Sequence, residues 1–463
     1  MKLIRKWVLV LSVAVAGAVS IPAGQVAANR TNEYSPQKLA SWRAKGPDGL
    51  AQFVALHQKE LDKSTLNPPK DNPQWTQLCM AMDVIGGQKD NYASRLYWFT
   101  DLSKAKVLSK TEHKPILSLR LLGNLTDELS CANSRFFRTA LYPNAKINAL
   151  LQNKFVLYWS SERPAPIVTI DMGDGRKIKR TVTGNSVHYL LSSDGTPLDV
   201  LPGLNAPGTF ERWLADSLQL YTSYEAKPQN ERAAFLAKTH EELLEASLLN
   251  ARKNDPVMKA SKIDLAATVT QIKKRNPLLT PAAPRVSALL AAPLPVGKAV
   301  LEMPLLKETK LMQRDALDSI LSFSDVAAAR PYLKDAQLDA NSVALIRAKN
   351  PPLDTTPVNL TNTNPYFVSI GSASSDNSVK DKLTPFQSLI NNFERALAID
   401  SARNNDLHNY IHAYFADGKQ GDFEELNKNV YGRLFRTPQS DAWLGLDTPG
   451  IYTAINNGGI TKN

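Results

Sequence analysis

Cysteine is scarce in this 463-residue chain, which holds only Cys79 and Cys131. Two thiols leave no CxxCH haem site and no Cys/His cluster with zinc spacing. The sequence also lacks a P-loop, a GxGxxG fingerprint, a HExxH motif and a Ser-His-Asp nucleophile motif. Motif-bearing nucleotide, dinucleotide and hydrolytic enzymes therefore find no support. Long apolar runs are missing after Ile21, so no later segment is expected to span a bilayer. The densest basic run, "GDGRKIKR" (Gly173 to Arg180), has no interleaved aromatics. It reads as a solvated hairpin tip between two β-rich stretches, and no nucleic-acid partner is expected.

What is present is ordinary for a globular protein: 43% hydrophobic and 21% charged residues, enough for a sizeable core. The length suggests two or three folding units. Lys2, Arg5 and Lys6 precede the apolar run Trp7 to Ile21, and small residues follow at Val26-Ala27-Ala28. This pattern predicts a cleaved signal peptide over residues 1–28 and a periplasmic or secreted protein. The 15-residue run is short for an uncleaved anchor, and the segment has no cysteine for a lipoprotein anchor. Losing those three cations takes the formal charge from +11 to +8, a basic balance that speaks of solubility and anionic surfaces.

Residues 29–91 read as helical. Ser35 and Pro36 open one helix. Leu50, Phe53, Val54, His57 and Leu61 share one face of a second, which makes His57 a packed or half-exposed histidine. A third carries Cys79 and ends at Gly86-Gly87. Residues 92–225 change pattern. A short strand precedes a helix capped by Thr100 or Asp101. Pro115 to Gly123 is expected as a strand buried on both faces. A helix from Cys131, broken near Pro143, leads to a second buried strand at Phe155 to Ser160. Hairpins follow around Gly173 to Gly175 and at Asp194-Gly195, then a closing helix. The expected fold class is α/β: a mixed sheet flanked by helices, with mainly α regions at both ends. Residues 226–275 extend as helix, 276–305 form a Pro/Ala-rich linker, and 306–463 are mainly helical. There Thr384 caps a helix bearing Phe386, Leu389, Ile390, Phe393 and Leu397, and "NDLHNYIHAYF" reads as another.

"RLYWFTDLSKAKVLSKTEHKPILSLRLLG" resembles the opening of a bacterial thioredoxin-like domain. "INALLQNKFVLYWSSERP" is similar to that superfamily's next helix and central strand, and "VHYLLSSDGTPLDVLPGL" to its closing hairpin, with Phe210 in the last helix. The similarity covers a quarter to a third of the chain; the flanks resemble exported bacterial proteins with no assigned activity to borrow. The resemblance places Cys131 where the family's active thiol begins a helix. Two features depart from it. The dithiol motif is reduced to Cys131-Ala132-Asn133-Ser134, and Val187 stands about where the family has a cis-proline facing the thiol.

A thiol at a helix start is acidified by the backbone dipole; Ser134 is placed to donate to the thiolate and Arg135 to add positive charge. Three readings of the cysteines stand, in this order. A Cys79–Cys131 disulfide across 52 positions would be worth about 4 kcal/mol. A monothiol site would use Cys131 and Ser134, and would form a mixed disulfide that Ser134 cannot resolve. A full oxidoreductase would need Cys79 as resolving thiol. His408 and His412, at i and i+4 with Asp406 nearby, have metal-ligand spacing, but Leu407, Ile411 and Phe415 explain the helix as packed. His188 reads as a hydrogen-bonded strand histidine that could influence the thiol, and Trp443 as part of a packed tail. The expected function is an exported partner-binding or structural envelope protein with no or weak redox activity, binding an unknown protein or peptide and no cofactor. The alternatives are a thiol-disulfide oxidoreductase acting through Cys131 and, more distantly, a metal-binding protein.

Overall fold

The structure, a computed structural model, describes residues 34–181, 185–254, 264–279, 328–349, 384–419 and 421–441. The expected signal peptide, nearly all of the Pro/Ala-rich linker and Trp443 lie outside these residues.

The N-terminal helices are α1 (Pro36–Ala44), α2 (Pro47–Leu56), α3 (Gln58–Ser64) and α4 (Pro73–Gly86). Ser35 holds the extended cap position of α1 without a side-chain capping bond, so Pro36 sets that start. The single helix expected over Asp48 to Lys63 is two, because His57 leaves helical geometry at φ −108° while its ring packs 4.6 Å from that of Phe53. The apolar stripe survives the break: Leu50, Phe53 and Leu61 join Trp75, Leu78, Met82 and Ile85 in one cluster. Asn72 caps α4 by accepting from Trp75 N, and Gly87 ends it in the left-handed region.

A short turn α5 (Asn91–Ser94) leads to β1 (Trp98–Phe99) and α6 (Leu102–Glu112), capped by Asp101. Next come β2 (Ile116–Leu122), α7 (Ala132–Phe136) continuing as a π-helical turn through Leu141, α8 (Ala145–Lys154) and β3 (Val156–Arg163). The ribbon β4 (Ile167–Asp171) and β5 (Lys177–Thr181) stands apart from the main sheet, largely exposed and turning through Gly173 to Gly175 as expected. Strands β6 (Ser186–Leu191) and β7 (Pro197–Pro202) are wholly buried. The helices that follow are α9 (Pro207–Glu225), α10 (Arg232–Asn254), α11 (Leu265–Arg275), α12 (Ala340–Lys349), α13 (Pro385–Ala416) and α14 (Phe423–Asn429), the last continuing as a π-helical turn through Leu434.

The architecture is mixed α/β. One five-stranded sheet has the order β1-β3-β2-β6-β7, with β1, β3 and β2 parallel and β6 and β7 antiparallel. Every residue of β2 is buried, as its bulky two-faced sequence predicts. On one face Leu119 lies between Trp159 and His188, and Phe137, Tyr142 and Phe210 pack against His188. The other face carries Arg120 and Tyr189, and α14 covers it. The Arg120 guanidinium sits 4.9 Å over the Phe423 ring and pairs with Glu424; Tyr189 Oη donates to Asn427 Oδ1 at 3.0 Å. The connection from β3 to β6 is the exposed ribbon, so C-terminal residues supply the cover on this face.

The two helices expected between Thr384 and Phe415 are one of 32 residues. A reciprocal Thr384–Gln387 capping box starts it, and nothing in its sequence breaks it. It lies against β7 and α10 and shares one core with the sheet, through Phe393, Leu397 and Ile411. No helix among the described residues is long and apolar enough to cross a membrane.

Candidate functional site

Cys131 holds the N-cap position of α7, the next helix after β2, without a side-chain capping bond, and its backbone N–H donates to Leu122 O at 3.0 Å. The sequence expectation for its position therefore holds. Its surroundings differ from an exchange site: Cys131 is 0% exposed and lies in the main apolar core. Burial pushes the phenols of Tyr142 and Tyr431 well above their ordinary range. Negative charge on Cys131 would push both further, and both tyrosines belong to the same core cluster as the thiol. Ser134 does not serve the thiol. Its hydroxyl bonds with Ser130 Oγ at 2.6 Å and donates to the Cys131 carbonyl at 2.8 Å. Arg135 points to Thr181, donating to Oγ1 at 3.0 Å.

Cys79 is far from this arrangement in packing terms. It belongs to the N-terminal helical cluster, and both cysteines are free thiols with no bond between them. Burial, with Asp83 nearby, raises the Cys79 thiol to about 12, so it holds little thiolate.

The end of the sheet at Cys131 is closed by the chain's own C-terminal residues. Tyr431 and Phe435 enter the core there. Asn185 Nδ2 donates to Thr437 Oγ1 at 3.2 Å, while the Arg163 guanidinium donates to Pro438 O at 3.2 Å and Asp441 O at 2.7 Å. Inside, His188 Nε2 meets Tyr142 Oη at 3.0 Å, and burial lowers the imidazole to about 3. Its Nδ1 has no hydrogen-bond partner among the described residues.

Two open concavities flank this core. One of about 820 Å³ lies where β2 and β3 begin, lined by Leu50, Val54, Tyr97, Leu108, Leu151 and Phe155. The other, about 240 Å³, lies beside α7, where Arg135, Arg138 and Lys349 meet Asp90 and Glu128.

A second polar cluster forms at the outer strand β7. His408 and His412 project from α13 as their i, i+4 spacing predicts, with rings 4.0 Å apart. They meet two residues that sequence reasoning passed over, Asp199 and His240. His408 Nε2 lies 2.9 Å from Asp199 Oδ1; His412 Nδ1 lies 4.0 Å from the same oxygen and 2.9 Å from His240 Nδ1. His240 Nε2 is 2.8 Å from Leu198 O. Asp199 also accepts from Val200 N and from Trp213 Nε1, each at 2.8 Å. Its burial opposes charge, yet His408 above all holds the carboxyl below the usual range. Burial lowers His240 and, more strongly, His412, which favours neutral rings. The available signal was Asp199 itself, a lone acid inside the apolar strand "PLDVLP". Asp406 is on the exposed side of the helix.

No family model matches the chain, and no curated protein or solved structure matches it significantly.

Proposed function

We propose that this chain is an exported protein built on a thioredoxin-like domain that has given up thiol exchange, and that it serves as a partner-binding or structural protein of the cell envelope. The strand order with its parallel and antiparallel halves supports the domain reading, as does a cysteine starting the helix after β2. The observation that carries the loss of activity is the complete burial of Cys131 among Tyr142, Tyr431 and the core. Exchange requires a thiolate to reach a disulfide sulfur in line, and a sulfur under this cover offers no such approach. Neither Ser134 nor Arg135 is turned toward it. Export rests on the basic and apolar pattern of residues 1–28, and partner binding on the open concavity at the opposite end of the sheet.

The test is alkylation of native and denatured protein with mass-spectrometric mapping, alongside a disulfide-exchange assay. Cys131 is expected to label only after unfolding and to form no mixed disulfide. Rapid native labelling of Cys131, or catalytic turnover abolished by Cys131→Ala, would instead establish the monothiol oxidoreductase.

A further inference from the structure

We propose that Asp199, His240 and His412 form a binding site for one zinc-class divalent cation, with His408 holding Asp199 in position. The site shares no residue with the thiol region and stands whether or not Cys131 is active.

The cluster is assembled by tertiary structure. Asp199 comes from β7, His240 from α10 and His412 from α13, and one donor atom from each lies within 4.8 Å of the other two. All three residues are buried. Donors about 2.1 Å from a tetrahedral zinc ion stand roughly 3.4 Å apart. The separations here, 2.9 Å between the two Nδ1 atoms and 4.0 Å from His412 Nδ1 to Asp199 Oδ1, bracket that value. The third separation is within 4.8 Å, so side-chain motion of about an ångström or less would bring all three donors onto one ion.

The outer bonds are those that orient metal ligands. With Nε2–H donated to Leu198 O, His240 directs its Nδ1 lone pair into the cluster. Without a cation, His412 must then donate its Nδ1 hydrogen to that lone pair. A cation between the rings takes the place of the shared hydrogen, and His412 carries its proton on Nε2 instead, with no net change. Asp199 is fixed by Val200 N–H, Trp213 Nε1–H and His408. The only carboxylate of the three supplies the charge a divalent ion needs.

Two imidazoles and one carboxylate select the cation class. Calcium and magnesium require oxygen shells, and copper(I) favours sulfur. Zinc accepts this set, with a fourth position for water on the side of His408, which is less buried than the others. Bound there, the ion would tie the long helix α13 and α10 to the outer edge of the sheet.

The experiment uses the full chain, stripped with chelator and titrated with zinc by calorimetry and with cobalt by visible absorption. X-ray absorption of the zinc-loaded wild type follows. One equivalent is expected, in a nitrogen and oxygen shell containing imidazole, with a rise in thermal midpoint. His240→Gln and His412→Gln should each weaken binding by about 100-fold or more, His408→Gln by roughly 10-fold, and His57→Gln not at all. Folding of each variant is checked by circular dichroism. Should a variant fail to fold, the wild-type absorption spectrum decides. No bound zinc on the folded wild type, a sulfur-containing shell, or unchanged affinity in a folded His240 or His412 variant would overturn the site.

Discussion

Tyr142 Oη and His188 Nε2 lie 3.0 Å apart, joining the end of the Cys131 helix to the middle of β6 in a fully buried contact. Burial lowers His188 to about 3, against about 6.5 in an unfolded chain. As pH falls from about 6.5 toward 3, the unfolded chain gains a proton that the native imidazole does not take. Stability is present above that window and is lost through it, at up to about 1.4 kcal/mol per pH unit. His188→Gln retains a polar partner for Tyr142 and cannot titrate. Urea unfolding near pH 7 and near pH 5 should show the wild type losing more stability than the variant. Asp83, which burial raises to about 6, acts in the opposite sense, and His240 and His412 in the same sense. All three are common to both proteins, so the difference isolates His188. Equal losses would refute this account of the pair.

Cys131 fills an apolar position, and its substitutions should follow packing chemistry. Cys131→Ala removes one buried sulfur and is expected to cost about 1 kcal/mol. Cys131→Ser places a hydroxyl where Ser134 is already committed to Ser130 and the Cys131 carbonyl, and should cost more, about 1–3 kcal/mol. Chemical denaturation of the two variants measures the order. A serine variant as stable as the alanine one would mean that the position is wetter than its burial indicates.

Gly203 couples the sheet to the long C-terminal helix. Its φ of +72° favours glycine, and a Cβ there would meet the Asn404 side chain at 2.3 Å. Asn404 Nδ2 donates to Leu204 O at 2.6 Å, and Ala206 N donates to Ser401 Oγ at 2.7 Å, so this loop is where α13 is pinned beside β7. Gly203→Ala combines backbone strain with a displaced buried amide. It should cost about 2–4 kcal/mol. Hydrogen exchange should show the loosening spreading into α13, whereas a loss confined to the β6–β7 hairpin would contradict the coupling.

How much of this was legible in sequence depends on the range of the interaction. Local signals read correctly: Asp101 as one of two cap candidates, Gly86-Gly87 as a helix stop, Asp194-Gly195 as a turn, and the two-faced apolar run of β2 as a buried strand. The position of Cys131 at a helix start was legible for the same reason. Its burial was not, because Tyr431 lies 300 positions away, and periodicity carries no information on what a distant segment covers. The His408–His412 spacing announced a shared helix face, but the partners on that face come from β7 and α10. At His57 the apolar stripe predicted one helix, and ring packing on Phe53 accompanies two. Stripe periodicity is satisfied by either, since both bury the same side chains.

Asp90 offers a sharper test of long-range charge. Its carboxylate accepts from Lys349 Nζ at 3.0 and 3.1 Å and lies 3.8 Å from Arg138 Nη1, whose side chain is only 2% exposed. Burial disfavours the Asp90 charge, but Lys349 and Arg138 outweigh it and hold the carboxyl below its ordinary range. The pairing thus contributes above about pH 3.9 and is lost as pH falls through the lowered native value. Asp90 has φ +60°, a conformation asparagine tolerates, so Asp90→Asn removes charge without adding backbone strain. The variant leaves Arg138 buried without its counter-charge and should lose about 2–4 kcal/mol near neutral pH. In an Arg138→Met background, where no buried cation remains, the same change should cost much less, about 1 kcal/mol, for the half-exposed Lys349 contact alone. A double-mutant cycle by urea unfolding measures the difference. Additive losses would show that Arg138 is held by its bonds to the Asp127 and Glu128 carbonyls and owes nothing to Asp90.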